Sequence, residues 1–192
     1  MYAATMMTEA ARSALGFSLI ELMIVIMIAA ILMVAGIPAL EDFMADQHVR
    51  SVTSDLAGDI AFARYQAVEN SHRTHLQMTP GPSWTNGWRV YVDLNDNDAY
   101  DVGEQRKIFN GSSGTIRVCT NVGDFATDII FRPDGRVVRI SVPTMNDGIY
   151  VIDQMNNGDP THTKIRGILF GLDGRTHVEN LNPNNLAVPL PC

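Results

Sequence analysis

The densest group of oxygen-bearing side chains lies in one acidic segment, from Asp93 to Glu104. With Asp93 as position 1, such side chains stand at positions 1, 3, 5, 9 and 12, the ligand order of a calcium loop. The candidate ligands are Asp93, Asn95, Asn97, Asp101 and Glu104. Position 6, which favours glycine, is Asp98, and no helical pattern follows, so an EF-hand is not indicated. The segment is either a calcium site or an acidic hairpin loop whose side chains bond their own backbone.

No pattern typical of catalysis accompanies this segment. The histidines lack the spacing of a zinc helix, no serine stands in a nucleophile elbow, and no glycine-rich phosphate loop follows a strand candidate. The histidines are His48, His72, His75, His162 and His177. Paired carboxylates occur only in the acidic segment, which we expect to be too exposed to raise a carboxyl pKa. We therefore expect a protein that is not an enzyme and that needs no cofactor, except for a calcium ion if the acidic segment binds one.

Three arginines, Arg136, Arg139 and Arg175, form a candidate DNA contact. The first two lie at one predicted hairpin, and the third follows a later turn candidate. A net charge of −7 argues against nucleic-acid binding as the default, because lysine and arginine contacts to phosphates supply most non-specific affinity. The arginines are either local DNA contacts or solvated strand-edge charges that discourage aggregation.

The element around which the chain is organised is the apolar run from Phe17 to Ile37. Its 21 residues carry one charge, Glu21, and at ~1.5 Å per residue they can cross a hydrocarbon core of ~30 Å. A carboxylate inside a bilayer is costly, so Glu21 either pairs with a positive group or snorkels to the interface. A secretory signal peptide fits this run poorly, because the apolar region of such a peptide is shorter than the run from Phe17 to Ile37. The run predicts a membrane span over residues 17–38, surrounded by lipid.

The helical pattern continues beyond Pro38. Proline either kinks or locally melts one long helix, or the helix ends there and a new one begins at Glu41. Apolar residues then recur at spacings of three and four, which predicts an amphipathic helix over residues 39–70. They are Val49, Val52, Leu56, Ile60, Ala63 and Ala67.

From Arg73 onward the apolar period becomes two, and turn sequences separate short strand candidates. These are 74–78, 87–93, 107–109, 115–119, 128–131, 137–142, 149–152, 164–170 and 176–178. We expect antiparallel sheets with one face covered by the helix. The predicted fold class is α+β: a lollipop with a long N-terminal helix as its stick and a β-rich head over residues 71–192.

Cys119 and Cys192 form an even pair in a part of the chain that we expect to be exported. Such a pair favours a disulfide, which would tie the last residue to a strand of the head. The alternative is two independent thiols.

The heptapeptide Gly16-Phe17-Ser18-Leu19-Ile20-Glu21-Leu22, followed by an apolar helix, resembles the class III signal of type IV pilins and type II secretion pseudopilins. The resemblance implies that a prepilin peptidase removes residues 1–16 and that the amine of Phe17 is methylated. It implies that Glu21 contacts this amine in a neighbouring subunit and that Pro38 marks a stretchable helix. It also implies one pass through the bacterial inner membrane, a periplasmic head, and other pilin or pseudopilin subunits as partners.

The head resembles the H-type pseudopilin and FimT-type minor pilin domain. The matching pieces are Leu56-Ala57, Ala63-Arg64, Gln66-Ala67, Gly87-Trp88, Tyr91-Val92-Asp93, residues 130–135 and Gly174-Arg175. This resemblance implies a minor, initiating or tip-proximal subunit of a type II secretion pseudopilus or a type IV pilus. The alternative is a filament-borne DNA receptor, for which FimT-like proteins use a Gly-Arg-x-Arg stretch. Here His177 replaces the second arginine.

Overall fold

The computed structural model describes residues 17–81, 83–112, 114–138, 148–153, 163–171 and 173–181. In these ranges one helix precedes eight strands, and two 3-10 helices, Trp84–Asn86 and Gly123–Phe125, lie between strands. The principal elements are α1 (Leu19–Asn70), β1 (Thr74–Met78), β2 (Trp88–Val92), β3 (Gln105–Phe109), β4 (Ile116–Thr120), β5 (Asp128–Phe131), β6 (Gly148–Asp153), β7 (Lys164–Phe170) and β8 (Thr176–Leu181).

The chain divides into two compact units between Glu41 and Asp42. In the first unit the N–H of Leu22 donates a hydrogen bond to the carbonyl of Ser18 at 3.1 Å, near the start of α1. The helix is continuous through Pro38, so the alternative in which a helix ends there and a new one begins at Glu41 is wrong. The sequence predicts a membrane span over residues 17–38, whereas no helix in the described ranges combines the length and apolarity that crossing a bilayer requires.

The second unit is built around the apolar stripe of α1. Val49, Leu56, Ile60, Ala63 and Ala67 are all at most 1% exposed, and Val52 packs beside them. The spacing of three and four residues therefore places one face of the helix in the core, as predicted. The helix ends after Asn70, where Ser71 has a positive φ of 58° and turns the chain away.

Two four-stranded antiparallel sheets supply the rest of this core. Sheet A has the order β3-β2-β1-β5, and sheet B has the order β4-β6-β7-β8. Leu76 and Trp88 from sheet A and Val118 and Ile149 from sheet B belong to one cluster with the helical stripe. The α+β class with an N-terminal helix and antiparallel sheets is thus confirmed.

The strand predictions hold over the described ranges with one exception. Of the predicted strand 137–142, Val137 makes an isolated bridge with Phe131, Val138 follows it outside any strand, and residues 139–142 lie outside the described residues. Three strands are longer than predicted: β3 begins at Gln105, β6 covers Gly148–Asp153, and β8 extends to Leu181.

Candidate functional site

The N-terminal segment of α1 presents an apolar surface that carries one acid. Phe17 is 80% exposed, and Leu19 and Ile20 are 76% and 63% exposed. Glu21 is also exposed, and the described residues provide it with no hydrogen bond or ion pair. Gly16, the predicted cleavage position, lies outside the described residues. Apolar side chains exposed in such number require lipid or other protein surfaces to cover them.

In the second unit, a buried carboxylate connects the helix to sheet A. Asp59 of α1 is 1% exposed and accepts a hydrogen bond of 2.8 Å from the indole N–H of Trp88 on β2. It also forms an ion pair with Lys107 of β3, whose side chain is half exposed. A buried carboxylate with two partners fixes the orientation of both strands, so we assign this group a structural role.

The acidic segment forms the loop between β2 and β3, and both of its ends are buried. Asp93 and Glu104 are 0% and 4% exposed. Their carboxylates accept hydrogen bonds of 2.9–3.1 Å from the backbone N–H groups of Leu94, Asn97, Asp98 and Asp101. These bonds bring the first and last predicted calcium ligands into one closed loop.

The remaining predicted ligands meet at Asp101. The side-chain amides of Asn95 and Asn97 each donate a hydrogen bond of 2.8 Å to its carboxylate, and these bonds lower the pKa of Asp101. The structure therefore brings all five predicted calcium ligands into the same loop. Their mutual hydrogen bonds are also those expected of an acidic hairpin loop, and calcium binding stays a prediction.

The outer face of sheet A carries residues that the sequence analysis did not single out. The ring of His75 on β1 is fully buried and stacks on Tyr91 of β2, with centroids 4.7 Å apart. Tyr100 from the acidic loop meets Tyr91 edge-on at 5.5 Å. Burial is the main cause that raises the pKa of Tyr91. Only the register of β1 against β2 places these rings together, so no sequence motif identifies them.

Two of the three candidate DNA-binding arginines lie on adjoining loops. Gly135 and Gly174 have φ values of 77° and 76°, and a Cβ atom on Gly174 would lie 2.6 Å from the Gly135 carbonyl. This close approach of backbones requires glycine and places Arg136 beside Arg175. Both arginines are exposed, and Arg139 lies outside the described residues.

Acidic residues accompany these arginines. Arg175 forms an ion pair of 3.3 Å with Asp173, and Asp134 accepts a hydrogen bond from the backbone N–H of Arg136. A groove of about 530 Å³ runs beside the loops. It is lined by Ile60, Ala61, Arg64, Tyr65, Val68, Gly174, Arg175 and Thr176. The positive charge of this surface is thus partly neutralised within the chain.

Cys119 on β4 is disulfide-bonded. Its predicted partner, Cys192, lies outside the described residues, so the pairing stays a prediction.

Comparison with known proteins gives this architecture a family. Residues 52–177, more than half of the chain, match the family of the type II transport protein GspH. This chain belongs to the GspH family. Residues 11–37 match the prokaryotic N-terminal methylation motif, which includes the predicted cleavage position. No curated protein matches the chain.

Solved structures with the same fold include a minor pilin. The crystal structure of the type IV minor pilin FimU from Pseudomonas aeruginosa PAO1 is 16% identical with a TM-score of 0.50, covering 71% of this chain and 92% of FimU. A second crystal form of FimU gives 17% identity and a TM-score of 0.47, with coverages of 68% and 91%. The first likeness confirms the pilin-type fold. As a GspH-family member with a methylation motif, the chain is a minor pilin or pseudopilin subunit that assembles with other pilin subunits.

Proposed function

We propose that this GspH-family chain is an initiating or tip-proximal subunit of a type II secretion pseudopilus or a type IV pilus. A prepilin peptidase cleaves after Gly16 and methylates the amine of Phe17. The subunit is held in the inner membrane by its first helical segment, with the head in the periplasm, and it then enters the filament. The size of the β-rich head favours a position at an end, where fewer neighbours have to pack around it.

The observation that supports this assignment best is the exposed apolar surface with a single unpaired acid. Large apolar side chains from Leu19 to Val34 are more than half exposed. Glu21 stands one turn after the predicted new amine of Phe17. A carboxylate surrounded by apolar groups needs an opposite charge, and the amine of a neighbouring subunit provides one. Pairing with this amine would set the axial position of each incoming helix.

The test is incorporation of a Glu21→Gln variant into filaments in the native host. We expect the variant to be processed and membrane-bound, yet largely absent from sheared filaments, because the glutamine carries no charge to neutralise the amine. Glu41→Gln is the matched control, since Glu41 is exposed on the same helix beyond the apolar run. Normal incorporation of Glu21→Gln would favour the snorkelling explanation of this residue.

Membrane attachment and processing are tested on the native protein. Intact mass should show a chain that begins at a methylated Phe17, and membrane fractions should retain the protein after a high-salt wash. Protease added to spheroplasts should digest the head. Recovery of the protein in the soluble fraction, or a chain that still begins at Met1, would contradict this part of the proposal.

A second candidate function is a filament-borne receptor for incoming DNA, and the adjoining positions of Arg136 and Arg175 are the observation that favours it. We expect salt-sensitive retention of duplex DNA by the full chain in detergent, with a shallower salt dependence by about one unit for each arginine changed to alanine. Arg50→Ala is the control, because Arg50 is an exposed helical arginine that pairs with Asp46. No salt-sensitive binding by the unmutated chain would exclude the receptor.

A further inference from the structure

A buried histidine on sheet A has one ring nitrogen without a hydrogen-bond partner. His75 lies in β1, paired with Tyr91 of β2 on one side and Ile130 of β5 on the other. Its Nδ1 is 3.1 Å from a carboxylate oxygen of Asp128, whereas Nε2 is buried and makes no hydrogen bond. A buried polar atom without a partner is unfavourable, so the environment of Nε2 requires an explanation.

Asp128 determines which nitrogen carries the proton. A carboxylate can only accept, so Nδ1–H donates to Asp128, and in the neutral ring the lone pair is then on Nε2. This nitrogen lies 3.7 Å from a carboxylate oxygen of Asp98, beyond hydrogen-bond distance. A histidine oriented by a carboxylate through one nitrogen, with a lone pair on the other, is the arrangement found at metal-ligating histidines.

Two carboxylates lie near this lone pair. His75, Asp93 and Asp98 each offer one ligand atom, and these three atoms lie within 4.8 Å of one another. Asp93 is fully buried and fixed by hydrogen bonds from the backbone N–H groups of Asn97 and Asp98. The side chain of Asp98 is 52% exposed, which gives an ion a path from solvent. The group therefore combines two fixed ligands with one adjustable ligand.

The charges near the ring also favour a cation. Three carboxylates, those of Asp93, Asp98 and Asp128, lie near the ring, and the guanidinium of Arg73 lies against Asp98 at 2.8 and 2.9 Å. Arg89 supplies a second guanidinium on this face of sheet A. The carboxylates outnumber these two cations, so a cation bound at Nε2 would reduce the remaining negative charge.

We propose that His75 Nε2, Asp93 and Asp98 bind a first-row divalent cation, with Asp128 as the residue that orients the imidazole. One imidazole and two carboxylates suit zinc better than calcium, which prefers oxygen ligands alone. Ligands of a tetrahedral zinc ion at 2.0–2.2 Å lie about 3.4 Å apart, so binding would draw together three ligand atoms that already lie within 4.8 Å of one another. Water fills the fourth position. This site differs from the predicted calcium set, with which it shares only Asp93.

The experiment is a Zn²⁺ titration of the EDTA-treated full chain in detergent, followed by calorimetry and by thermal unfolding. We expect one Zn²⁺ per chain and a higher unfolding midpoint, because an ion that binds only the folded state stabilises it. Asp98→Asn should weaken Zn²⁺ binding at least tenfold, and Asp128→Asn should weaken it about 10–100-fold. Both substitutions keep the size of the side chain, and the unfolding midpoint of each variant without Zn²⁺ checks that it folds.

Two further variants separate ligation from general charge effects. Asp96→Asn removes a carboxylate of the same loop that is 71% exposed and outside the ligand set, so Zn²⁺ affinity should stay within about twofold. Arg73→Gln removes the cation that competes for Asp98 and should tighten Zn²⁺ binding. The proposal is overturned by any one of three results: no zinc bound, equal affinity in Asp98→Asn, or equal losses in Asp98→Asn and Asp96→Asn.

Discussion

The two halves of α1 carry similar apolar side chains and place them in opposite environments. Val49, Leu56 and Ile60 in the second half are at most 1% exposed, whereas Leu22 and Leu32 in the first half are 59% and 67% exposed. The second half is covered by the two sheets of the same chain. The head thus buries its own apolar side chains, whereas those of the N-terminal segment need lipid or other helices to cover them.

The acidic residues of the two halves differ in the same way. Asp59 is buried and has two partners, Trp88 and Lys107, within the head. Glu21 has no partner among the described residues. The comparison predicts that substitutions in the second half lower the stability of the head, whereas substitutions in the first half affect assembly.

The largest expected effect is that of Leu56→Ala. Removing a fully buried leucine side chain leaves a cavity in the core, and we expect the free energy of unfolding to fall by about 2–5 kcal/mol. Leu32→Ala is the matched control, because Leu32 lies on the same helix and is exposed. Urea denaturation of the full chain in mild detergent, followed by tryptophan fluorescence, measures both variants, since Trp84 and Trp88 are buried in the head. Similar losses in both variants would contradict the division between the halves.

A smaller loss is expected for Asp59→Asn. Asparagine can still accept the hydrogen bond from Trp88 but loses the charge that pairs with Lys107, and a hydrogen bond to a charged group contributes about 1.5–3 kcal/mol. Because Lys107 is half exposed and can turn to solvent, we expect a loss near the lower end of this range. Asp55→Asn, an exposed carboxylate one turn earlier, is the control and should change stability little. An unaltered midpoint in Asp59→Asn would mean that the helix and sheet A are held by apolar packing alone.

The same contrast explains which elements the sequence predicts. The stripe of α1 recurs with the helical period, and inner strands such as β6 are buried along their whole length, so both leave an apolar signal in the sequence. The strands β3 and β8 are edge strands of their sheets, and most of their residues are exposed. An edge strand with two solvated faces has no apolar alternation. For this reason the predicted strands began late at Lys107 and ended early at Val178.

The candidate sites follow a similar rule. The acidic loop was predicted because its ligands are neighbours in sequence. The pairs Asp59–Trp88 and His75–Asp128 join residues 29 and 53 positions apart, and only the packing of α1 on sheet A and the register of β1 with β5 bring them together. Sequence patterns record local period and spacing, and they do not record which strands become neighbours.

The smallest effect is expected in the acidic loop, for Asp101→Asn. Hydrogen bonds from Asn95 and Asn97 lower the pKa of Asp101 in the folded chain below its ordinary value of 3.8. Such a group stabilises the fold above the unfolded pKa, and this contribution is lost as the pH falls through the folded pKa. We therefore expect Asp101→Asn to lower the unfolding midpoint slightly at pH 7. The difference from the unmutated chain should shrink below about pH 4.

Asp101→Asn also tests whether the acidic loop is held by its own hydrogen bonds alone or needs a bound ion. If its own hydrogen bonds are sufficient, adding Ca²⁺ to the EDTA-treated chain leaves the unfolding midpoint unchanged, because the carboxylates of the loop are already bonded to its N–H groups. If Ca²⁺ binds, the midpoint rises with its concentration, and Asp101→Asn and Glu104→Gln each reduce the rise. Asp98→Asn is the control, since Asp98 stands at position 6 and is not a predicted calcium ligand. A rise that Asp98→Asn alone removes would place the ion at His75 instead of in the loop.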